Sequence, residues 1–233
     1  MIVINLQFFG GRGASSSGGG SGGSASGELV LPSGSKIEFE GELKFGKKDA
    51  TLTKETRKAI EAWEEKRVKN KVEYAYSVKE DGTPIGPEVR GTKGSVSSPL
   101  SYKQDGATFT HIHPREDGLL GGTFSEADLR NFANNPVKTC RAKAKEGAYS
   151  ISKTDKFDAK GFKGFVDGAN RQFESSYKAK VKSLSADYRS GKINYNDYAK
   201  GNAKAFNTAL VELHNIYSSG QKQYGYKYTL EKP

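Results

Sequence analysis

Apolar positions along the first two thirds of the chain follow the spacing of short strands. Alternating or short apolar runs, bounded by Gly, Asp and Pro, predict strands at 29–31, 36–43, 73–78 and 106–113, within 138–152, and around Val96. Asp81-Gly82 predicts a hairpin turn into a return strand that ends near Val89, and Glu146-Gly147 divides the range 138–152 into two strands. This region therefore contains enough strands for a sheet.

Helices are predicted in two places among these strands. Apolar residues recur every three or four positions at 53–69 and at 126–134, and Ser125 is a favourable N-cap for the second helix. We therefore expect an α+β domain, with a mixed β-sheet flanked by helices.

The last third of the chain has the apolar spacing of two long helices. Aromatic and aliphatic residues repeat every three or four positions in two series, 162–188 and 198–217, which are separated by a break at Ser190-Gly191. The pattern predicts a helical hairpin with one apolar stripe on each helix, followed by a closing strand at 224–230.

Composition marks a boundary near the N-terminus. Residues 10–27 are almost entirely Gly and Ser, which predicts a flexible linker. The apolar segment before it, residues 1–9, either docks as a peptide on a partner or is a disordered tail. We expect residues 28–155 to form the main domain, and residues 156–233 to form the helical hairpin and closing strand packed on it.

Charge, cysteine content and hydropathy restrict the classes of function. A formal net charge of +10 permits contact with nucleic acid, but the Lys residues are scattered along amphipathic helices, which disfavours that role. The single cysteine, Cys140, excludes an internal disulfide and a CxxC zinc site, and we expect it to be a small buried residue at a strand end. Because no apolar run approaches the roughly 20 residues that cross a bilayer, we expect no membrane partner. A cytoplasmic or virion-associated protein is the expectation.

One segment combines metal-ligand side chains with a defined local structure. His111 and His113 precede Pro114 on a predicted strand, where residues i and i+2 point to the same face. Asp128 lies in the first turn of the following helix, and the Gly-rich loop between them can fold back toward the histidines. Two imidazoles and one carboxylate around one point leave a fourth position open, which is typical of catalytic zinc.

Structural interpretations of the same residues also remain. Ser125 and Asp128 resemble a capping box, and a His-x-His pair on a strand can be an ordinary polar face. The third histidine, His214, lies on the last predicted helix and is expected to be partly exposed or hydrogen-bonded. The metal interpretation rests on the conjunction of the two histidines with a capped, acidic helix start.

This conjunction resembles a known metalloprotease signature. The HxHP…SxxD pattern of His111, His113, Pro114, Ser125 and Asp128 is similar to that of the JAB/MPN (JAMM) fold, although ten residues separate Pro from Ser here. The resemblance covers about residues 70–152 and implies a three-layer α/β arrangement.

The resemblance also implies roles for individual residues. His111, His113 and Asp128 would bind Zn²⁺, and the Ser125 hydroxyl would stabilise an oxyanion. An upstream Glu on a strand is the general base in this family, and Glu73 matches by position, with Glu80 and Glu88 as the alternatives. The expected reaction is hydrolysis of a peptide or isopeptide bond in a peptide or protein substrate.

The N-terminal segment resembles the openings of proteins encoded in phage structural gene clusters of Gram-positive bacteria. The matching residues are Asn5 to Gly11, followed by the Gly/Ser tract. A phage assembly protein that uses the same fold for binding is therefore the alternative function, with capsid or tail proteins as partners of residues 1–9. A metal-dependent nuclease is a third hypothesis, disfavoured because no nuclease-type Asn/His constellation follows the histidine pair.

Overall fold

A mixed β-sheet is at the centre of the computed structural model, which describes residues 26–31, 33–97, 104–114 and 117–233. The strands are β1 Ser26–Val30, β2 Lys36–Glu40, β3 Tyr74–Val78, β4 Val89–Arg90, β5 Thr108–Ile112, β6 Thr139–Ala144, β7 Gly147–Lys153 and β8 Tyr226–Glu231. β1 and β2 form a separate antiparallel hairpin, whereas the other strands form one sheet in the order β4-β3-β5-β6-β7-β8. β5 and β6 run parallel, and the other neighbouring pairs run antiparallel.

Helices lie on both faces of this sheet. Their bounds are α1 Lys54–Arg67, α2 Glu126–Asn134, α3 Ala159–Arg189, α4 Tyr195–Ser219 and α5 Gln221–Tyr224. The four longer helices begin at residues whose side chains accept bonds from first-turn N–H groups, namely Thr53, Ser125, Asp158 and Asn194. Among the described helices, none is both long and apolar enough to span a membrane. The mixed sheet flanked by helices confirms the coarse fold prediction.

The parallel pair β5 and β6 exists because α2 connects the two strands. Parallel neighbours need a crossover connection, and here the chain leaves β5, passes through the Gly-rich loop and α2, and returns as β6. The N-terminus of α2 therefore follows directly on the loop that begins where β5 ends.

The two faces of the sheet differ in chemistry. One face carries a cross-strand row of apolar residues, Phe109, Cys140, Ile151 and Tyr228, which packs under α2, α3 and α4. The other face carries two polar rows, Thr110, Arg141, Ser150 and Thr229, and Thr108, Thr139, Ser152 and Lys227. Alternation along each strand assigns successive residues to opposite faces.

The polar face is buried, because α1 supplies partners for it. Glu64 on α1 accepts hydrogen bonds from Thr110 Oγ1 at 2.7 Å and from Arg141 Nε at 3.0 Å. Arg141, which is 1% exposed, also lies 3.1 Å from the Glu231 carboxylate on β8. The ionic groups thus neutralise one another inside the fold, as burial of charge requires.

Several predicted elements have different bounds in the structure. The strand expected over 36–43 ends at Glu40, where Gly41 adopts a φ of +88°. Val96 lies outside the described strands, and the return strand after Asp81-Gly82 is reduced to β4 and an isolated bridge between Val78 and Pro84. Residues 1–25 lie outside the described residues, so the predictions for the terminal peptide and for most of the linker are not addressed by the structure.

The C-terminal helical hairpin is present as α3 and α4, and the closing strand begins two residues later than predicted. β8 pairs with β7 along its whole length and is the last strand of the six-stranded sheet. The C-terminal residues therefore complete the central sheet and also cover one of its faces.

Candidate metal centre

Both histidines of the HxHP segment lie at the end of β5 on the apolar face of the sheet. His111 belongs to the strand, and His113 extends its pairing with β6 because its N–H donates to the Lys143 carbonyl at 2.8 Å. The side chains are buried, and the His111 ring stacks on Phe109 with ring centroids 5.4 Å apart. Ile112 points to the opposite face, as strand alternation predicts.

Asp128 joins the two imidazoles to form a three-residue cluster. The Nε2 atoms of His111 and His113 are 2.8 Å apart, and Asp128 Oδ2 lies 3.5 Å from His111 Nε2. One ligand atom from each of the three side chains lies within 4.8 Å of the others. Two nitrogens bound to one tetrahedral zinc at 2.0–2.1 Å are about 3.3 Å apart, so a small outward shift of the rings would admit the ion.

The orientation of His113 is fixed by a backbone carbonyl. His113 Nδ1 lies 3.1 Å from the carbonyl oxygen of Gly122, which can only accept a hydrogen bond. Nδ1 therefore carries the proton, and the lone pair of the neutral ring is on Nε2, which faces the cluster. Metal-binding histidines are typically held in this way by their second nitrogen.

The capping box predicted for α2 is also present, and it uses the same carboxylate. Ser125 Oγ accepts from the Asp128 N–H, while Asp128 Oδ2 accepts from the Ser125 N–H at 2.9 Å and from its hydroxyl at 2.7 Å. The structural and the metal interpretation of Ser125 and Asp128 are therefore compatible. In this arrangement the Ser125 hydroxyl holds Asp128.

Charge attraction dominates the protonation of the cluster. Burial opposes the charged form of His111, but the Asp128 carboxylate outweighs burial and raises the pKa of His111 well above its usual value. Burial would likewise raise the pKa of Asp128, yet the neighbouring imidazoles lower it. A metal ion that binds here therefore displaces a proton from His111.

Of the three glutamates considered as a base, Glu73 lies at the histidine end of the sheet. Glu73 is buried and directly precedes β3. Ala75 pairs with His111 in the antiparallel register of β3 and β5, and the same register extended by two residues places Glu73 opposite His113. Residues directly opposite each other in an antiparallel pair share a face.

The other two glutamates are engaged elsewhere. Glu80 lies beyond the opposite end of β3 and forms an exposed ion pair with Lys138 at 2.8 Å. Glu88 accepts hydrogen bonds from Trp63 and Arg67 on α1. Their positions favour Glu73 as the candidate.

Two buried polar residues that the sequence analysis did not select hold the Gly-rich loop. Glu146 accepts from the N–H groups of Gly121 and Gly122, at 3.0 and 2.9 Å. Asn207 on α4 accepts from the Leu120 N–H at 3.0 Å. In the sequence, Glu146 is an ordinary turn residue and Asn207 one polar position of a helix, so neither carried a signal.

The remaining histidine and the cysteine have structural positions. His214 is buried, with Nδ1 2.9 Å from the Tyr228 hydroxyl and Nε2 3.0 Å from the Lys44 carbonyl, so the hydrogen-bonded alternative is correct. Cys140 is a buried thiol in β6 on the same sheet face as His111.

Comparison with known proteins gives no match: no family model fits the chain, and no curated protein or solved structure is significantly similar. The JAB/MPN resemblance therefore rests on the motif residues themselves, and the functional argument rests on the geometry of the cluster.

Proposed function

We propose that this chain is a zinc-dependent hydrolase of a peptide or isopeptide bond, built on a JAB/MPN-like domain and encoded by a phage or an integrated element. The observation that carries the proposal is the convergence of His111, His113 and Asp128 at a buried strand end, with the ring of His113 already oriented by the Gly122 carbonyl. We place its action in the cytoplasm of a bacterial host or in the virion.

The donor set fits zinc better than the common hard cations. Two imidazole nitrogens and one carboxylate oxygen match catalytic zinc sites, whereas Ca²⁺ and Mg²⁺ prefer oxygen ligands throughout. Two histidines and a carboxylate also serve Fe(II) in some oxygenases, so metal analysis is part of the test. Burial of the histidines supports a dry site in which electrostatic effects are strong.

Each residue of the site has a chemical task in this proposal. Bound zinc supplies Lewis acidity, which lowers the pKa of a water molecule and polarises a carbonyl group. Glu73 takes the proton of the attacking water and returns it to the leaving amine. Ser125 keeps the Asp128 carboxylate directed at the site through its two hydrogen bonds to Oδ2. The oxyanion contact that the family resemblance implies for the Ser125 hydroxyl stays a prediction.

The proposal is tested first by metal content. We expect one equivalent of zinc per purified chain, measured by mass spectrometry of the metal, and loss of that zinc in a His111→Ala, His113→Ala double variant. A His214→Gln variant is the control, because it removes a buried histidine outside the cluster. Metal-free wild-type protein whose stability is unchanged by chelators would refute the metal site, and iron in place of zinc would refute the zinc assignment.

Catalysis is tested separately with the Glu73→Gln variant. We expect wild-type protein to cleave members of a library of peptide and isopeptide-linked substrates, and Glu73→Gln to bind zinc normally but lose cleavage by at least the roughly 100-fold that general-base removal causes. Zinc-loaded wild-type protein that cleaves none of them would contradict the hydrolase proposal. Co-purification with capsid or tail proteins would then support the assembly role.

A further inference from the structure

The buried carboxylate of Glu146 holds the loop that follows His113 against the end of β6 by hydrogen bonds to the loop backbone. Glu146 lies in the turn between β6 and β7 and is 1% exposed. Its Oε2 accepts from the Gly121 N–H at 3.0 Å, and its Oε1 accepts from the Gly122 N–H at 2.9 Å and from the Tyr149 hydroxyl at 3.0 Å. Two of these bonds come from the loop, one to each carboxylate oxygen, so the Glu146 side chain restrains the backbone of both glycines.

Glycine is required on both sides of this contact. At Gly121 a Cβ would collide with the Ala144 side chain, so the loop backbone lies directly on the end of β6. Gly122 has a φ of +82°, a conformation that L side chains rarely adopt. These two residues give the backbone the close approach and the turn that bring both N–H groups to one carboxylate.

Gly122 connects this carboxylate to the metal cluster. Its N–H donates to Glu146, and its carbonyl accepts from His113 Nδ1 at 3.1 Å. Gly122 therefore links the buried Glu146 side chain to the His113 imidazole through its own N–H and carbonyl groups. Displacement of the loop would remove the acceptor that selects the Nδ1–H form of His113.

We propose that Glu146 is a positioning residue that sets the tautomer and ring orientation of His113 through the Gly121–Gly122 backbone; its consequence for zinc rests on the function proposed above. The partners of metal-binding histidines typically change metal affinity by about 10- to 100-fold when removed. We expect an effect of this size from Glu146, which acts on His113 by way of Gly122.

The decisive measurement is the ¹⁵N NMR spectrum of histidine-labelled protein stripped of metal. In wild-type protein we expect His113 in the Nδ1–H form. In Glu146→Ala we expect that preference to be lost and zinc affinity, measured by competition with a chromophoric chelator, to fall about 10- to 100-fold. Glu146→Gln, whose amide oxygen replaces one acceptor, is expected to restore part of both.

A matched control separates this role from general destabilisation. Asp49 is also a buried carboxylate, and it accepts hydrogen bonds from Thr51, Ser150 and Ser152 beneath the polar face of the sheet. Asp49→Asn should lower thermal stability while leaving the His113 spectrum and zinc affinity unchanged.

The outcomes distinguish this inference from the proposed function. An Nε2–H form of His113 in wild-type protein overturns the role of Glu146 whether or not the variants fold. Folded Glu146→Ala protein with the wild-type His113 spectrum also overturns it. If wild-type protein binds no zinc, the proposed function fails, yet the NMR comparison still decides whether Glu146 orients His113.

Discussion

Ser125 and Asp128 bond each other reciprocally, and the carboxylate oxygen that Ser125 holds is the one that faces His111. Oδ2 of Asp128 accepts both the N–H and the hydroxyl of Ser125, and it lies 3.5 Å from His111 Nε2. The start of α2 and the candidate metal centre therefore share one side chain. Helix capping and ligand orientation should respond together when either residue is changed.

Ser125→Ala should affect both properties. Loss of an N-cap serine costs about 1 kcal/mol of stability, and the Asp128 carboxylate loses one of its two bonds from residue 125. We expect a decrease of that size in the free energy of unfolding, measured with urea on metal-free protein, and weaker zinc binding. Asn194→Ala, which removes the N-cap of α4, is the control. An equal change in zinc affinity in both variants would show that the loss reflects general destabilisation.

Asp128→Asn should separate ligation from capping. The amide oxygen can still accept from Ser125, so we expect α2 to keep its N-cap and to stay folded. The negative charge that stabilises the cluster is lost. Zinc affinity should fall by more than the roughly 10- to 100-fold typical of changes around a ligand. Retention of wild-type affinity in isothermal titration would mean that Asp128 only caps the helix.

Stability should depend on pH through His214. Burial lowers its pKa to about 4, and the neighbouring Tyr149 and Tyr228 have raised pKa values, so neither titrates in acid. Because the unfolded chain takes up the proton more readily, with an unfolded pKa of about 6.5, the stabilising effect of neutral His214 is complete above that pH. It is lost as the pH falls toward about 4.

The difference is measurable by urea unfolding at two pH values. Between pH 7 and pH 5 the His214 contribution should decrease by about 2 kcal/mol. His214→Gln should therefore show a smaller change between the two conditions than the wild-type protein. An identical change in both proteins would mean that His214 is not the responsible group.

Arg141→Met should destabilise the protein without affecting the metal centre. The substitution removes the arginine that pairs with the buried Glu64 carboxylate, and it leaves Glu231 with Arg57 as its remaining arginine partner. Removal of one partner of a buried ion pair typically costs about 3–5 kcal/mol. Arg141 lies on the polar face of the sheet, opposite the face that carries His111. We expect a large loss in chemical denaturation with unchanged zinc affinity at low temperature. A matching loss of affinity would show that the two faces are coupled.

Local sequence patterns predicted the elements that carry the candidate ligands. Alternation placed His111 and His113 on one face of β5, and Ser125 correctly marked the start of α2, because both features depend on residues close together in the chain. The spacing of apolar residues likewise predicted α3 and α4. The choice of Glu73 over Glu80 and Glu88 as the candidate base could not be made from the sequence, because it depends on the register between β3 and β5.

Local sequence patterns did not predict the long-range polar contacts. Thr110, Arg141 and Ser150 are polar residues at alternating positions of their strands, which is typical of a solvent-exposed sheet face. In the structure α1 covers them, and Glu64 pairs with Arg141. Glu146 bonds to glycines 24 and 25 positions away. Residue type does not show whether such a side chain faces water or a buried partner, because the answer depends on tertiary packing.

Asn207 ties three distant parts of the chain together. Besides accepting from the Leu120 N–H, its amide donates to the carbonyls of Gly118 and Glu38, so α4 bonds both to the loop beside the histidines and to β2. During synthesis on the ribosome, the two histidines emerge long before this asparagine and before β8. The nascent chain thus exposes its candidate ligands before Asn207 and β8, which hold the loop and complete the sheet, have been synthesised. The ability to bind metal should therefore arise only late in translation.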